Sequence, residues 1–519
     1  MVKGLLKALP TGSGLGAIAA LTVVLFGGWS GAVIGWLLGA GAGFLACGGR
    51  RIPNLQAGAL QGGKSGAIVG LWILVGNLLG KFVIRPLAGL SSEGIPQILL
   101  YGGVGLGVAT LAGASLGALQ GMNRAHRPVA TRLFMALSLL LFPLADQLAQ
   151  TRWIAASIQI MIFIMLALGL NIVVGFAGLL DLGYAAFFAI GAYTTGLLSS
   201  PQLGIQGNFW LVIWAAAAVA ALAGTVLGSA TLPLRGDYLA IVTLGFGEII
   251  PVVFRNLTNV QLYEPISKLV ADFTGNPTLA LCLLGCDKPL NLTGGEAGIN
   301  PIGRPSLPIV GTFQPTNDLP WYYLILTLLV LAYFVINRLR DSRLGRAWTA
   351  LREDELAASA MGINIVRTKL LAFAMGATFS GFAGSFYAAY ISAIFPSVFD
   401  FSVSVIILCM VILGGLGNMT GVILGGLIIM GADRLYLPQL AQLLKGILNT
   451  SIFPNVASPQ WRDFLATTID PLQMRLFLFG LTLVIMMIVR PEGIIPDSVH
   501  RAELHHAENE PPADAGRTV

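Results

Sequence analysis

RLRDSRLGRAWTALREDELAASAMGINIVRTK, residues Arg338 to Lys369, lies between two apolar runs, Tyr322–Ile336 and Leu370–Ile391. Its cations are Arg338, Arg340, Arg343, Arg346, Arg352, Arg367 and Lys369, and they outnumber the acids Asp341, Glu353, Asp354 and Glu355. A short loop this rich in Lys and Arg stays on the cytoplasmic side, because moving its charges across a bilayer is disfavoured. The stretch therefore fixes an orientation for both flanking runs, which are apolar enough to span. Inside it, Leu351–Met361 is built from strong helix formers and stops at Gly362, a good residue for ending a helix. Glu355, Ala358 and Gly362 fall at i, i+3 and i+7, a face whose small side chains admit close approach by another protein. The same residues also suit a helix that simply lies on the membrane surface. The combination suggests a membrane protein driven by something docked beneath it.

Working outward, composition agrees. The 519-residue chain is 55% hydrophobic and only 10% charged, against about 25% charged in soluble domains. At ~20 residues per span it holds many crossings, so the expected fold is all-α, a polytopic integral membrane helical bundle. The net charge of +6 comes from cations in loops beside apolar runs and reflects topology, which argues against a nucleic-acid partner. Met1–Pro10 carries Lys3 and Lys7 but leads into Gly-rich apolar sequence without a clean signal-peptide cleavage site. Four cysteines are too few for a disulfide scaffold or a metal cluster. Cys282 and Cys286 share one loop, where a local disulfide and two separate thiols are both compatible with the spacing.

The apolar runs are Leu15–Phe26, Gly31–Cys47, Gly66–Val83, Ile98–Gln120, Leu133–Leu148, Ile154–Val174, Leu179–Leu198, Trp210–Gly228, Tyr238–Phe254, Tyr322–Ile336, Leu370–Ile391, Val403–Leu413, Val422–Gly431 and Leu476–Val489. The first two also suit a single broken helix. Placing 338–369 inside puts the Pro-, Gly- and Asn-rich segment 257–320 outside. It puts Arg50–Lys64, Arg124–Arg132, the turn at Arg235 and the polar tail 496–519 inside, the tail as a disordered segment. Lys81 and Arg85 fall at an outer end and break the pattern. Residues 1–127 form a Gly-rich N-terminal membrane extension, in which Gly27, Gly31, Gly35, Gly39 and Gly43 recur every fourth residue. That spacing lines one helix face with hydrogen alone and lets helix backbones touch. GALQGG at Gly58–Gly63 and GALQGM at Gly117–Met122 form a weak internal repeat. Gly58–Ser65, GALQGGKS, matches a phosphate-loop pattern letter for letter. Its flanks are Gly-rich membrane sequence rather than a buried strand and a helix, so ATP binding is not expected there. Residues 128–495 have a more ordinary membrane composition.

Few polar residues interrupt the later spans. Between Gly169 and Tyr193 only Asn171 and Asp181 carry a polar amide or a charge. A carboxylate at membrane depth is costly and marks a functional site by default. Capping of a helix starting near Leu182, with Gly175 and Gly178 permitting an unwound approach, is the plainer reading of Asp181, and the two roles are compatible. In Arg235–Glu248, Asp237 opens a helix where the dipole favours an anion, and Glu248 lies deeper, behind Gly245 and Gly247. Pairing of Glu248 with a polar group on another helix is the plainer reading. Gly414–Asn418, GGLGN, makes a tight turn between two short runs, as a re-entrant or broken helix requires.

Five blocks carry a resemblance: GLNIVVGFAGLLDLGYAAFFAIGAY (Gly169–Tyr193), LRGDYLAIVTLGFGEII (Leu234–Ile250), LRDSRLGRAWTALREDELAASAMGIN (Leu339–Asn364), VILGGLGNMTGVILGG (Val411–Gly426) and VRPEGI (Val489–Ile494). In this order they resemble the LivM-type permease subunit of branched-chain amino-acid ABC importers, over about Ile154–Ile495. The resemblance implies a permease domain at 128–495, a second, LivH-like permease, two cytosolic ATPases holding ATP and Mg, and a periplasmic binding protein, all in a bacterial inner membrane with the C-terminus cytoplasmic. It implies no catalytic residue and no cofactor or metal on this chain. It makes Glu355, Ala357, Ala358, Met361, Gly362 and Ile363 the coupling residues toward the ATPase. Asn171, Asp181, Tyr184 and Glu248 are the candidates for the solute path. The importer consensus of Glu-Ala-Ala followed by Gly is altered here, with Leu356 before Ala357 and Ala358, and without the later Leu-Pro. The first 127 residues fall outside the resemblance. Three rivals stand beside it: a urea or short-amide permease of the same superfamily, a self-contained secondary transporter, and a structural membrane protein. Asp181-Leu-Gly-Tyr184 favours the amino-acid branch over urea. A secondary transporter is expected to keep several ionisable side chains in its spans, and the structural reading leaves the basic loop without a role.

Overall fold

The computed structural model describes residues 11–47, 55–87, 94–122, 127–201, 204–232, 234, 237–258, 291–308, 311–452, 474–490 and 493–495, with short extended pieces at 260, 262–263 and 282–284. The Cys282–Cys286 pairing, the cations Arg50, Arg124 and Arg235, most of the outer segment and the tail 496–519 lie outside the described residues. Among the described residues, eleven helices are long and apolar enough to cross a membrane and three more are shorter. These fourteen correspond one to one with the apolar runs of the sequence. Strands among the described residues are confined to two short ribbons, Leu262–Tyr263 with Cys282–Leu284 and Ser306–Leu307 with Gly311–Thr312. The fold is an all-α polytopic bundle.

The chain divides into two compact units. One takes its described residues from Met1–Ala156 and Ala432–Arg475, the other from Ser157–Gly431 and Leu476–Val519. In the first, α1 (Thr11–Phe26) and α2 (Ser30–Cys47) are separate helices, because Gly27 and Gly28 turn the chain at φ +65° and +54°. They pack with α3 (Leu55–Leu79), α4 (Ile95–Gln120) and α5 (Arg127–Ala149). The four-residue glycine stripe sits at the α2–α4 seam: a Cβ on Gly35, Gly39 or Gly43 would fall on the carbonyl oxygens of Gly105, Ala109 and Gly113. The same stripe of α4 also receives α3, whose Gly58, Gly62 and Gly66 meet the carbonyls of Gly117, Gly113 and Ala109 in the same way. GALQGGKS is therefore an unbroken stretch of helix whose glycines are consumed by packing, with no loop to cradle a phosphate. Side chains close the remaining gaps, with Ala19, Val23, Ile34, Val69, Ile73, Ala109 and Trp153 in one buried cluster.

The second unit holds most of α6 (Ile154–Leu170), then α7 (Ala185–Ser199), α8 (Phe209–Thr231), α9 (Asp237–Asn256), α10 (Asp318–Arg340), α11 (Arg343–Glu353), α12 (Glu355–Ala360), α13 (Ile365–Ile391), α14 (Phe401–Gly414) and α15 (Met419–Gly431). After α16 (Leu437–Ile447) the chain returns to this unit with α17 (Arg475–Val489). At its centre α13 packs against α8, where Gly381 meets Ala216 and Ala220 and Gly224 meets Ala377. Its other side meets α7, where Gly384 lies on the Phe188 carbonyl. Small residues thus do on α13 what glycines do on α4: they let backbones approach where no water drives association. Aromatic rings fill the end toward Ile391, with Phe188 at 5.0 Å from Phe399 and Trp321 at 5.8 Å from Phe386.

Candidate functional site

The second unit is broken at 171–184, inside an apolar run. α6 does not stop at Leu170 but widens into a π turn, Asn171–Phe176. Ala177 N–H reaches back to the Ile172 carbonyl at 3.2 Å and Leu179 N–H to the Val173 carbonyl at 3.0 Å. Gly178 then adopts φ +71°, a left-handed conformation that ends the helix and suits glycine. Irregular backbone buried in an apolar bundle persists only if protein groups satisfy it, and here they arrive from four elements. Gly417 N–H, in the α14–α15 turn, donates to Asn171 Oδ1 at 3.0 Å. Arg352 Nη1 of α11 donates to the Gly175 carbonyl at 2.6 Å, and its stem packs over Gly178. Leu182 N–H donates to Thr243 Oγ1 of α9 at 3.0 Å. Ala185 N–H donates to Ser404 Oγ of α14 at 2.9 Å, which caps α7 from outside because Tyr184 at its N-cap makes no capping bond with its side chain.

Asp181 is 1% exposed. Its Oδ1 accepts from Gly183 N–H at 2.9 Å, while Oδ2 has no hydrogen-bond partner among the described residues. It therefore shapes a turn ahead of α7 rather than capping a helix at Leu182. Tyr184 is fully buried and donates across to the Gly376 carbonyl of α13 at 2.8 Å. Asn171 Nδ2 is also buried without a partner among the described residues. Buried polar atoms are nearly always paired, so two orphans at one helix break set this region apart from ordinary core. Glu248 is not among them. It lies exposed on α9 with Tyr238, Ile241 and Val252, while the opposite side of that helix, Thr243 and Gly247, faces Gly183.

The basic stretch folds into three capped helical pieces. Ser342 Oγ accepts from Gly345 N–H, Asp354 Oδ1 from Leu356 and Ala357 N–H at 2.8 and 3.0 Å, and Asn364 Oδ1 from Arg367 N–H at 3.0 Å. Asp354 thus splits the expected helix 351–361 in two. Trp348, fully buried, donates Nε1–H to the Thr368 carbonyl at 2.9 Å, and Lys369 pairs with Glu355 at 2.8 Å. Ala358 is 4% exposed, so Glu355 and Ala358 turn toward their own chain and do not form an outward face with Gly362. Ala357, Met361 and Gly362 are exposed, Ile363 is half-buried, and Leu356 and Met361 are the prominent apolar tips at 68% and 84% exposure. Arg352 could not be singled out from seven cations in one loop, and Thr243 and Ser404 carry no motif. Only their places in the fold mark them.

Arg352→Ala removes a hydrogen bond from a charged donor, worth about 1.5–3 kcal/mol. Amide hydrogen exchange at Gly175–Gly178 is expected to speed up by tenfold or more, with Arg352→Lys in between. Unchanged exchange there would mean that the contact does not hold the break.

Apolar helices packed through small residues around a polar, broken helix define a multi-pass membrane protein of permease type. A family model described as branched-chain amino acid transport system / permease component matches residues 153–487, and the chain belongs to that family. Among its relatives is the high-affinity branched-chain amino acid transport system permease protein LivM of Escherichia coli K12, 38% identical over 338 residues, 65% of this chain and 68% of that protein. LivM of Salmonella typhimurium is 36% identical over 356 residues, with the same shares. LivH of the same Salmonella strain, also a permease protein, is 32% identical over 132 residues, 25% of this chain and 41% of its own length. No solved structure matches the chain.

Proposed function

We propose that this chain is one permease subunit of an ATP-driven importer for branched-chain and other neutral amino acids. The reading is carried by one observation: the five blocks that resemble such importers are far apart in sequence and meet at one place. The first block supplies the break at 171–184, the second its Thr243 brace, the third Arg352, and the fourth Gly417. The fifth joins through Ile494 N–H to the Leu413 carbonyl at 2.9 Å.

In this reading 128–495 is the permease domain, 1–127 an accessory membrane extension and 496–519 a cytoplasmic tail, in the inner membrane of a bacterium. α11 and α12 face the cytoplasm, and two ATPase subunits bind and hydrolyse ATP against Leu356, Ala357, Met361 and Gly362. Closure of those subunits moves α12, whose Glu355–Lys369 pair and neighbouring Arg352 pass the displacement to α13 and to the Gly175–Gly178 turn. Asn171, Asp181 and Tyr184 stand at that moving break. Glu248 completes the path from another side: an intramembrane carboxylate on a lipid-facing surface is costly, so a second, LivH-like permease covers the exposed α9 face and encloses it. A periplasmic binding protein delivers the amino acid. This chain supplies shape, donors and a bistable break but no bond-making group, and solute biases the two states only by its different affinity for each.

Labelled leucine uptake in cells lacking this chain is expected to fall and to return on complementation, with excess alanine competing and urea not. Competition by urea alone would assign the urea or short-amide substrate class instead. Uptake persisting after ATP depletion at constant membrane potential would sink the ATP-driven reading.

A further inference from the structure

The second unit carries a separate polar cavity of about 530 Å³ at its opposite end from α11 and α12. Its walls come from the α7–α8 connection and from 301–306, and they include Ser199, Gln206, Asn208, Phe209, Ile302 and Arg304. No residue of the break at 171–184 is part of the lining. Three features of the cavity converge on an anion. The guanidinium of Arg304 is held in place by donation from Nε to Ser392 Oγ at 2.9 Å, and among the described residues no carboxylate pairs with it. The 23-residue helix α8 begins at the cavity wall, with Trp210 N–H on Asn208 Oδ1 and Leu211 and Val212 N–H on the Asn208 carbonyl, so it is the positive end of its dipole that points there. Ser199 is 4% exposed, and its Oγ has no hydrogen-bond partner among the described residues. A buried hydroxyl without a partner is costly, and this one lines the cavity.

The rest of the lining decides what carries the anion. Among the described residues Arg304 is the one cation of the lining, which matches a singly charged carboxylate presented to its fork. Asn208 Oδ1 is engaged by Trp210 N–H at 3.1 Å, which leaves the side-chain amide of Gln206 to offer a carbonyl oxygen to an ammonium group, and Phe209 and Ile302 offer an apolar wall. We propose that this cavity is an outer binding site for a free neutral amino acid, its α-carboxylate held by Arg304, Ser199 and the start of α8. The choice of an amino acid rests on the transport reading above; the carboxylate chemistry of the site does not.

The test is equilibrium dialysis of the full-length chain in lipid nanodiscs against labelled leucine, 4-methylpentanoate, which lacks the ammonium, and leucinol, which lacks the carboxylate. Leucine is expected to bind and leucinol to bind at least tenfold more weakly. Arg304→Gln is expected to weaken leucine by tenfold or more, with Arg304→Lys losing less. Ser199→Ala separates ligation from packing. It removes an unpartnered buried group, so the thermal midpoint is expected to hold or rise while leucine affinity falls. Equal binding of leucine and leucinol, or unchanged leucine affinity in both Arg304→Gln and Ser199→Ala, would overturn the site. Arg304-dependent binding of 4-methylpentanoate without binding of leucine would keep the carboxylate site and remove the amino acid from it, separating its failure from that of the transport reading.

Discussion

Met361→Asp is expected to abolish uptake in cells while leaving the chain inserted and folded. Met361 is 84% exposed beside Leu356 at 68%, so replacing it removes little packing within this chain, and such surface changes alter stability by about 0.5 kcal/mol or less. In the proposed assembly the same side chain is an apolar anchor in a cleft of the ATPase subunit. Truncating an anchor of this kind costs 2 kcal/mol or more, about thirtyfold in affinity, and a carboxylate adds the cost of burying an unpaired charge. Co-purification of ATPase subunits with the variant, set beside leucine uptake, is the measurement. Wild-type recovery of both would show that the exposed tip of α12 is not the docking surface. Ala358→Asp is no substitute, because Ala358 is buried against its own chain and would report folding.

Gly183→Ala is expected to be among the most damaging single-methyl changes in the second unit. A Cβ there would fall on the Thr243 carbonyl oxygen, with the Thr243 carbonyl carbon at 2.8 Å and the Gly247 nitrogen at 3.1 Å. All three are backbone atoms, so relief requires moving α9 or the 181–184 turn. Overpacking of this kind costs about 1–3 kcal/mol, and parting the two segments also loses the bond from Leu182 N–H to Thr243, roughly 1 kcal/mol more. Gly480→Ala, on α17 with nothing within 4 Å of a Cβ, provides the control and is expected to be neutral or stabilising by up to ~1 kcal/mol. Thermal midpoints of the two variants in detergent decide the matter. If they melt together, the close approach of α9 to Gly183 does not exist in solution.

The bundle was legible because membrane spans announce themselves one segment at a time: each needs only its own run of apolar residues. Fourteen runs became fourteen helices for that reason. The glycine repeat from Gly31 to Gly43 was legible as a packing face for the same local reason, although its partner α4 was not. The outcome differed wherever a residue's role depends on a distant one. Asp181 read as a helix cap because nothing local says that Ser404, far along the chain, caps α7. Gly175 and Gly178 allowed an unwound approach to be read ahead of Leu182, but the hydrogen bonds that hold the break leave no mark in hydropathy. Ala358 and Glu355 share a face with Gly362 in an ideal helix, but Asp354 restarts the helix and Lys369 draws Glu355 inward. Glu248 was placed with Asp181 because both are intramembrane acids, whereas the turn of α9 sends Thr243 to the break and Glu248 outward.

The two glycine seams of α4 have a genetic consequence. Every single-base change that replaces a glycine codon's amino acid adds at least a Cβ, so glycine is the one residue from which no missense change is smaller. At Gly39, Gly43, Gly58, Gly62 and Gly66 that added atom lands on the backbone of α4, whereas at Gly14, Gly103 and Gly107 it meets nothing within 4 Å. The burden of missense damage in this unit therefore falls on a few codons, while neighbouring glycine codons of the same helices are free to drift. Sampling the gene across strains would trace the seams as invariant columns flanked by variable ones, a record of helix contact written in polymorphism.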